Sequence, residues 1–187
     1  MSRLLIVGPQ GVGKGTQATR LAKALDIAHI STGDIFRANV GEKTELGLLA
    51  QKYMSQGDLV PDEVTNSMVA DRLDQQDAAE GFLLDGFPRN LDQAHWLGDL
   101  LASRGQSIDA VLLLEAPTEV LMDRLVSRAR EDDTPEAIRK RLDIYHTSTT
   151  PLLEYYHDRV LAVNGVGGVD EVTQRALAAL HRRSPSN

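Results

Sequence analysis

The chain has 187 residues, with 20 Lys+Arg against 27 Asp+Glu and a formal net charge of −7. That length suits one domain, with or without small inserts, and 42% apolar with 25% charged residues is a globular composition, not a disordered one. The acidic balance argues against a general nucleic-acid or anionic-membrane binder, and the lack of any Cys excludes disulfides, Cys-ligated zinc, iron–sulfur clusters and thiol catalysis.

In chain order, Arg3–Val7 reads as a first strand, and its apolar run fits a strand buried on both faces. It leads into Gly8-Pro9-Gln10-Gly11-Val12-Gly13-Lys14-Gly15-Thr16, after which Ala18, Leu21, Ala22 and Leu25 share a helix face. This is the G-x-x-x-x-G-K core of a phosphate-binding P-loop in its strand–loop–helix context. Glycines let backbone N–H groups turn inward on phosphate oxygens, and the helix N-terminus adds its positive dipole end. Lys14 supplies a mobile positive charge. Gly15 stands where the general template wants Ser or Thr, and the spacing fails the dinucleotide pattern G-x-G-x-x-G.

Ala28–Ile30 is a second short strand, and Ser31-Thr32-Gly33-Asp34 offers good N-caps for a helix after it. Pro61-Asp62-Glu63 starts another helix, with acids near the dipole's positive end. Strand Phe82–Leu84 ends in Asp85-Gly86, either a plain turn or the acid with which P-loop proteins organise magnesium. Ala110–Leu114 is a fourth strand, and Pro117-Thr118-Glu119 starts the next helix. The apolar runs are too short to span a bilayer or to form a signal-peptide core, so a cytoplasmic protein is expected.

Fifteen of the 20 basic residues are Arg, and Arg124, Arg128, Arg130, Arg139 and Arg141 fall within eighteen positions. Arg124 and Arg128 lie one helical turn apart. Such a run is either a solvated helix face or a set of guanidiniums waiting for an anion. Ile138, Leu142 and Tyr145 share a face, Arg159–Val163 reads as a fifth strand, and Val172, Ala176 and Leu180 as a last helix. The tail from His181 to Asn187 is polar and expected to fray. Strands alternating with helices give an α/β fold on a five-stranded parallel sheet.

Several segments together resemble the adenylate kinase family of nucleoside monophosphate kinases. GPQGVGKGTQ resembles that family's P-loop, in which G-K-G-T is the usual variant; the family usually has Pro where this chain has Gln10. Ser31-Thr32-Gly33-Asp34-Ile35-Phe36-Arg37, Gly57-Asp58-Leu59-Val60-Pro61, Asp85-Gly86-Phe87-Pro88-Arg89 with Gln93, and the arginine stretch match in order. The likeness runs from about Leu4 to Leu180. It implies a P-loop NTPase-type three-layer fold in one kinase domain. Its core would be 1–30, 61–126 and 138–187, with a monophosphate-binding insert at 31–60 and a short lid at 127–137.

By the same resemblance ATP would be held by Gly11, Val12, Gly13, Lys14, Gly15, Thr16, Arg124, Arg128 and Gly167. AMP would be held by Thr32, Arg37, Asp58, Leu59, Val60, Gly86, Phe87, Pro88, Arg89, Gln93, Arg130 and Arg141. Lys14, Arg89, Arg124, Arg130 and Arg141 would be catalytic, Asp85 would hold Mg²⁺ through water, and Asp132 and Asp133 would pair with lid residues. A long zinc-binding lid is not expected, because one residue separates Arg128 from Arg130 and no Cys is present. The partners implied are ATP, AMP and ADP, with no nucleic acid and no membrane, acting on a monomer. AMP is the expected acceptor, since pyrimidine-directed relatives generally carry Ala at Thr32 and Asn at Gln93. A Thr32 hydroxyl can donate to a ring nitrogen, and the Gln93 amide can donate and accept. The alternatives are a UMP/CMP kinase of the same fold, or a P-loop nucleotide-binding regulator without catalysis.

Overall fold

The computed structural model describes residues 2–128 and 134–183. Among these, five strands alternate with eight α-helices: β1 Arg3–Val7, α1 Lys14–Leu25, β2 Ala28–Ser31, α2 Thr32–Glu42, α3 Glu45–Met54, α4 Asp62–Leu73, β3 Phe82–Asp85, α5 Leu91–Ser103, β4 Ala110–Glu115, α6 Thr118–Arg128, α7 Pro135–Tyr155, β5 Val160–Asn164 and α8 Val169–Arg183. The sheet order is β2-β3-β1-β4-β5, and every pairing is parallel.

Alternation along the strands builds three layers. Leu5 and Val7 of β1 join Val111 and Leu113 of β4 in a core with Val69 of α4, Leu97 of α5 and Leu152 of α7. Leu4 and Ile6 point the other way, into a second core with Leu21 of α1, Leu121 of α6 and Ala176 of α8. A third, small cluster of Phe36, Ala50 and Val60 sits between α2, α3 and the loop before α4.

Strands β2, β3, β4 and β5 each run one residue past the expected end, to Ser31, Asp85, Glu115 and Asn164. The ladder continues where hydropathy stops, because Ser31 pairs with Asp85 and Glu115 with Asn164. Arg159 belongs instead to a 3-10 turn. The last helix also reaches beyond the expected fraying point, to Arg183, with basic residues at its negative dipole end. α7 begins at Pro135, capped by the Thr134 hydroxyl, so Arg139 and Arg141 lie one to two turns inside it. No helix among the described residues is long and apolar enough to cross a membrane.

Candidate active site

The register sets Ile6 beside Asp85 and Ser31 beside Asp85. The loops that leave β1, β2 and β3 therefore emerge side by side. In open parallel sheets this carboxyl edge, where the strand order reverses, is where ligands bind. A cavity of about 610 Å³ opens there.

The first wall is the loop after β1. Gly11 and Gly13 have φ of 86° and 100°, a region that residues with a Cβ avoid. At Gly11 there is no room either, since a Cβ would lie 2.9 Å from the Leu121 carbonyl and from Leu125 Cγ. Gly13 is the N-cap of α1, so the first free N–H groups of that helix border the cavity through Gly13, Lys14, Gly15 and Thr16. Lys14 Nζ donates to the carbonyls of Gly8 at 2.7 Å and Pro9 at 3.0 Å. Arg124 reaches across from α6, donating to the carbonyls of Val12 and Gly165, both at 3.1 Å. It ties the P-loop to the loop after β5.

The opposite wall carries three more arginines. Arg37 donates to Asp34 Oδ1 at 2.6 Å, Arg89 through Nε to the Gly86 carbonyl at 2.8 Å, and Arg141 to the Met54 carbonyl at 2.9 Å. Arg89 is accessible from the cavity yet walled in by protein. Its basicity is held below the usual arginine value, first by that enclosure and then by the charges of Arg141 and Arg37, with Asp85 opposing. Like charges gathered in this way favour an anion between them. Asp85 closes β3 with its carboxylate nearly buried, 3.8 Å from His29 Nε2.

Between the walls lie Asp58, Leu59 and Val60, together with Thr32, Gly86, Pro88 and Gln93. The Thr32 hydroxyl donates to the Gly86 carbonyl at 3.1 Å. Bonded in this way, the hydroxyl keeps its oxygen as an acceptor. Gln93 is 2% exposed, and its amide bonds to Arg89 N at 2.7 Å and Asp62 Oδ1 at 2.6 Å. Val12 and Phe87, 2% and 1% exposed, turn into the cores and do not border the cavity, and Gly167 sits apart in the loop between β5 and α8. Arg130, Asp132 and Asp133 lie outside the described residues with the rest of 129–133, the middle of the expected lid, as does the side chain of Arg128.

Two features of the site went unread in the sequence. Asp62, read only as an acid at a helix start, holds Gln93 from 31 positions away, and no local pattern announces such a contact. Tyr145 was read as a core position, but it also borders the cavity. Burial, aided by the Glu115 carboxylate, pushes its phenol up to about 12, so it stays protonated at neutral pH.

A parallel sheet whose first strand enters a glycine loop and a helix-start lysine defines the P-loop nucleotide-binding class, here with a second, arginine-lined wall facing the loop. The family model for adenylate kinase matches residues 6–161. Proteins named adenylate kinase from Mycolicibacterium smegmatis and Mycobacterium bovis are 54% and 52% identical, each over 95% of this chain and 98% of its own length. The one from Streptomyces coelicolor is 48% identical over 96% of this chain and 99% of its own length. That last alignment spans 214 positions, more than the chain's 187 residues, so this relative carries inserted residues that the chain lacks. The chain belongs to the adenylate kinase family.

Proposed function

We propose that the chain catalyses MgATP + AMP ⇌ 2 ADP. The observation that carries this reading is one cavity with two cationic walls: the P-loop with Lys14 and Arg124, and facing it Arg37, Arg89 and Arg141. A nucleotide switch needs only the first.

An AMP phosphate, with a second pKa of about 6, is already an anionic nucleophile at neutral pH and needs no general base. Its oxygen attacks the γ-phosphorus in line; the new P–O bond forms as the bond to the β-bridging oxygen breaks, leaving ADP on both sides. Arg37 and Arg89 hold the acceptor phosphate. Lys14, Arg89, Arg124 and Arg141, joined by Arg130, stabilise the charge that spreads over the transferring group. Gly11, Gly13 to Thr16, Arg128 and the loop around Gly167 bind ATP, and Asp58 to Val60 with Thr32, Gly86, Pro88 and Gln93 bind AMP.

Asp85 suits Mg²⁺, which prefers hard oxygen donors. No group of three or more His, Cys, Asp or Glu among the described residues could cage a metal, and Mg²⁺ usually rests on one or two carboxylates, water and substrate phosphates. When bound, the ion would neutralise charge on the outer phosphates, with Asp85 holding its water. The small cluster of Phe36, Ala50 and Val60 supports reading 31–60 as an insert with its own packing, apart from the core (1–30, 61–126, 138–187) and a short lid at 127–137. The same reading has the chain act as a monomer on free nucleotides in the cytoplasm.

The test is kcat/KM for AMP, CMP and UMP at fixed MgATP, in the wild type and in a Thr32→Ala, Gln93→Asn double variant. AMP should lead by at least ~10-fold, and the double variant should lose part of that lead. Equal use of CMP, or an undiminished purine preference in the double variant, would sink the assignment of the base-reading residues.

A further inference from the structure

Asp62 opens α4 directly after the loop that borders the cavity, and it is not itself among the cavity's walls. Its carboxylate gathers two amides from the start of α5. Gln93 Nε2 donates to Asp62 Oδ1 at 2.6 Å, and Asn90 Nδ2 donates to Oδ1 at 3.2 Å and Oδ2 at 3.1 Å. Asn90 Oδ1 accepts from Gln93 N at 2.8 Å, as the N-cap of α5. On its other side Gln93 Oε1 accepts from Arg89 N at 2.7 Å.

These partners leave Gln93 no choice of orientation. A carboxylate only accepts and a main-chain N–H only donates, so the amide nitrogen must face Asp62 and the amide oxygen Arg89. What remains is one N–H and one lone pair, each at a fixed place. A 6-aminopurine meets that pair well, with its amino group against the oxygen and N1 against the N–H. A 6-oxopurine carries the reverse order, an acceptor at O6 and a donor at N1. A glutamine free to turn over would read both edges equally.

We propose that Asp62 determines acceptor specificity by locking the Gln93 amide, so that the site takes 6-aminopurine monophosphates and rejects 6-oxopurine monophosphates. Asp62 is a positioning residue, since it acts through Gln93 and does not touch the base. The proposal rests on the reading of Gln93 as the residue that meets the acceptor base.

The experiment measures kcat/KM for AMP and for IMP, and competition by IMP against AMP, at fixed MgATP. It compares the wild type with Asp62→Asn, Asp62→Ala and Gln93→Ala, and follows KM for MgATP alongside. Asp62→Asn keeps the shape but can donate as well as accept, so the amide's direction then rests on the Arg89 N–H alone. The AMP-to-IMP ratio should fall by at least ~10-fold in both Asp62 variants, with IMP competing more strongly, while KM for MgATP stays within about two-fold. A merely structural role would weaken AMP and IMP together and leave the ratio alone; that result overturns the proposal. If Gln93→Ala loses the preference and the Asp62 variants keep it, the lock falls and the reading of Gln93 stands. If the wild type uses IMP as readily as AMP, or Gln93→Ala keeps the preference, both fall. Should Asp62→Ala fail to fold, the isosteric Asn variant decides.

Discussion

Lys14 holds the P-loop shut on itself, donating to the Gly8 and Pro9 carbonyls. Phosphate oxygens are stronger acceptors for an ammonium than neutral carbonyls, so an incoming triphosphate would take over those bonds. Lys14→Met should therefore lower kcat by at least about 10²-fold, the loss seen when one oxyanion donor is removed. The fold should survive with a lowered melting point, since hydrogen bonds to a charged group are worth about 1.5–3 kcal/mol each, against about 5–15 kcal/mol for a whole domain. Steady-state kinetics with a melting curve checks this; near-normal turnover would remove Lys14 from the machinery. At this scale the sequence was most informative where chemistry is local. Gly11, Gly13 and Lys14 work through a loop made of neighbours, and so their spacing was legible. Thr32 and Gln93 stood out in the sequence too, but their hydrogen bonds did not. Those depend on Gly86 and Asp62, brought close only when the loops of β2 and β3 and the starts of α4 and α5 meet.

The elements themselves followed from patterning, but their contacts did not. Hydrophobic runs located all five strands, most plainly β1, β3 and β4, which are buried on both faces; the last residues of β2 to β5 were missed because a ladder needs a neighbour, not an apolar side chain. α7 contains Pro151, which removes a helix hydrogen bond, yet the helix continues to Tyr155 with Leu152 packed into the larger core. The first turns of α7 also dock on the loop after α3: Lys140 Nζ lies 2.6 Å from Asp58 Oδ1, and Arg141 reaches the Met54 carbonyl. Gly57 makes that approach possible. Its φ is 75°, and a Cβ would stand 2.8 Å from the Ala137 carbonyl. Gly57→Ala should cost about 1–2 kcal/mol from the left-handed backbone alone, and more as α7 is pushed off the loop. Because Asp58 to Val60 follow directly, KM for AMP should rise more than KM for MgATP. A variant that melts normally and binds AMP normally would show this contact to be dispensable.

Over the whole molecule, alkaline stability should report how the larger core is closed. Tyr156 follows α7, is 4% exposed and packs edge-on against Tyr155 at 4.8 Å. Its hydroxyl has no protein partner among the described residues. Burial, then Tyr155, raises its pKa above the ordinary tyrosine value of 10.0, with Arg159 opposing. A phenol that holds its proton more tightly when folded contributes stability that is fully present below that value and lost as pH climbs past it. Tyr145, pushed up to about 12, acts in the same direction. Tyr156→Phe keeps the ring and removes an unpaired buried hydroxyl, so melting at about pH 8 should be equal or higher and its fall toward about pH 11 shallower. A markedly lower melting point at neutral pH, or an unchanged alkaline fall, would contradict that account. By itself the sequence determined the layered α/β class, the P-loop and the family, because apolar periodicity and contiguous phosphate-binding segments are local and survive without coordinates. Only the tertiary structure decided which strand lies beside which, that three arginines from three separate elements converge on one wall, and that Asp62 holds Gln93. These are contacts between residues distant in sequence, and they come into being only when the sheet sets the carboxyl ends of its strands side by side.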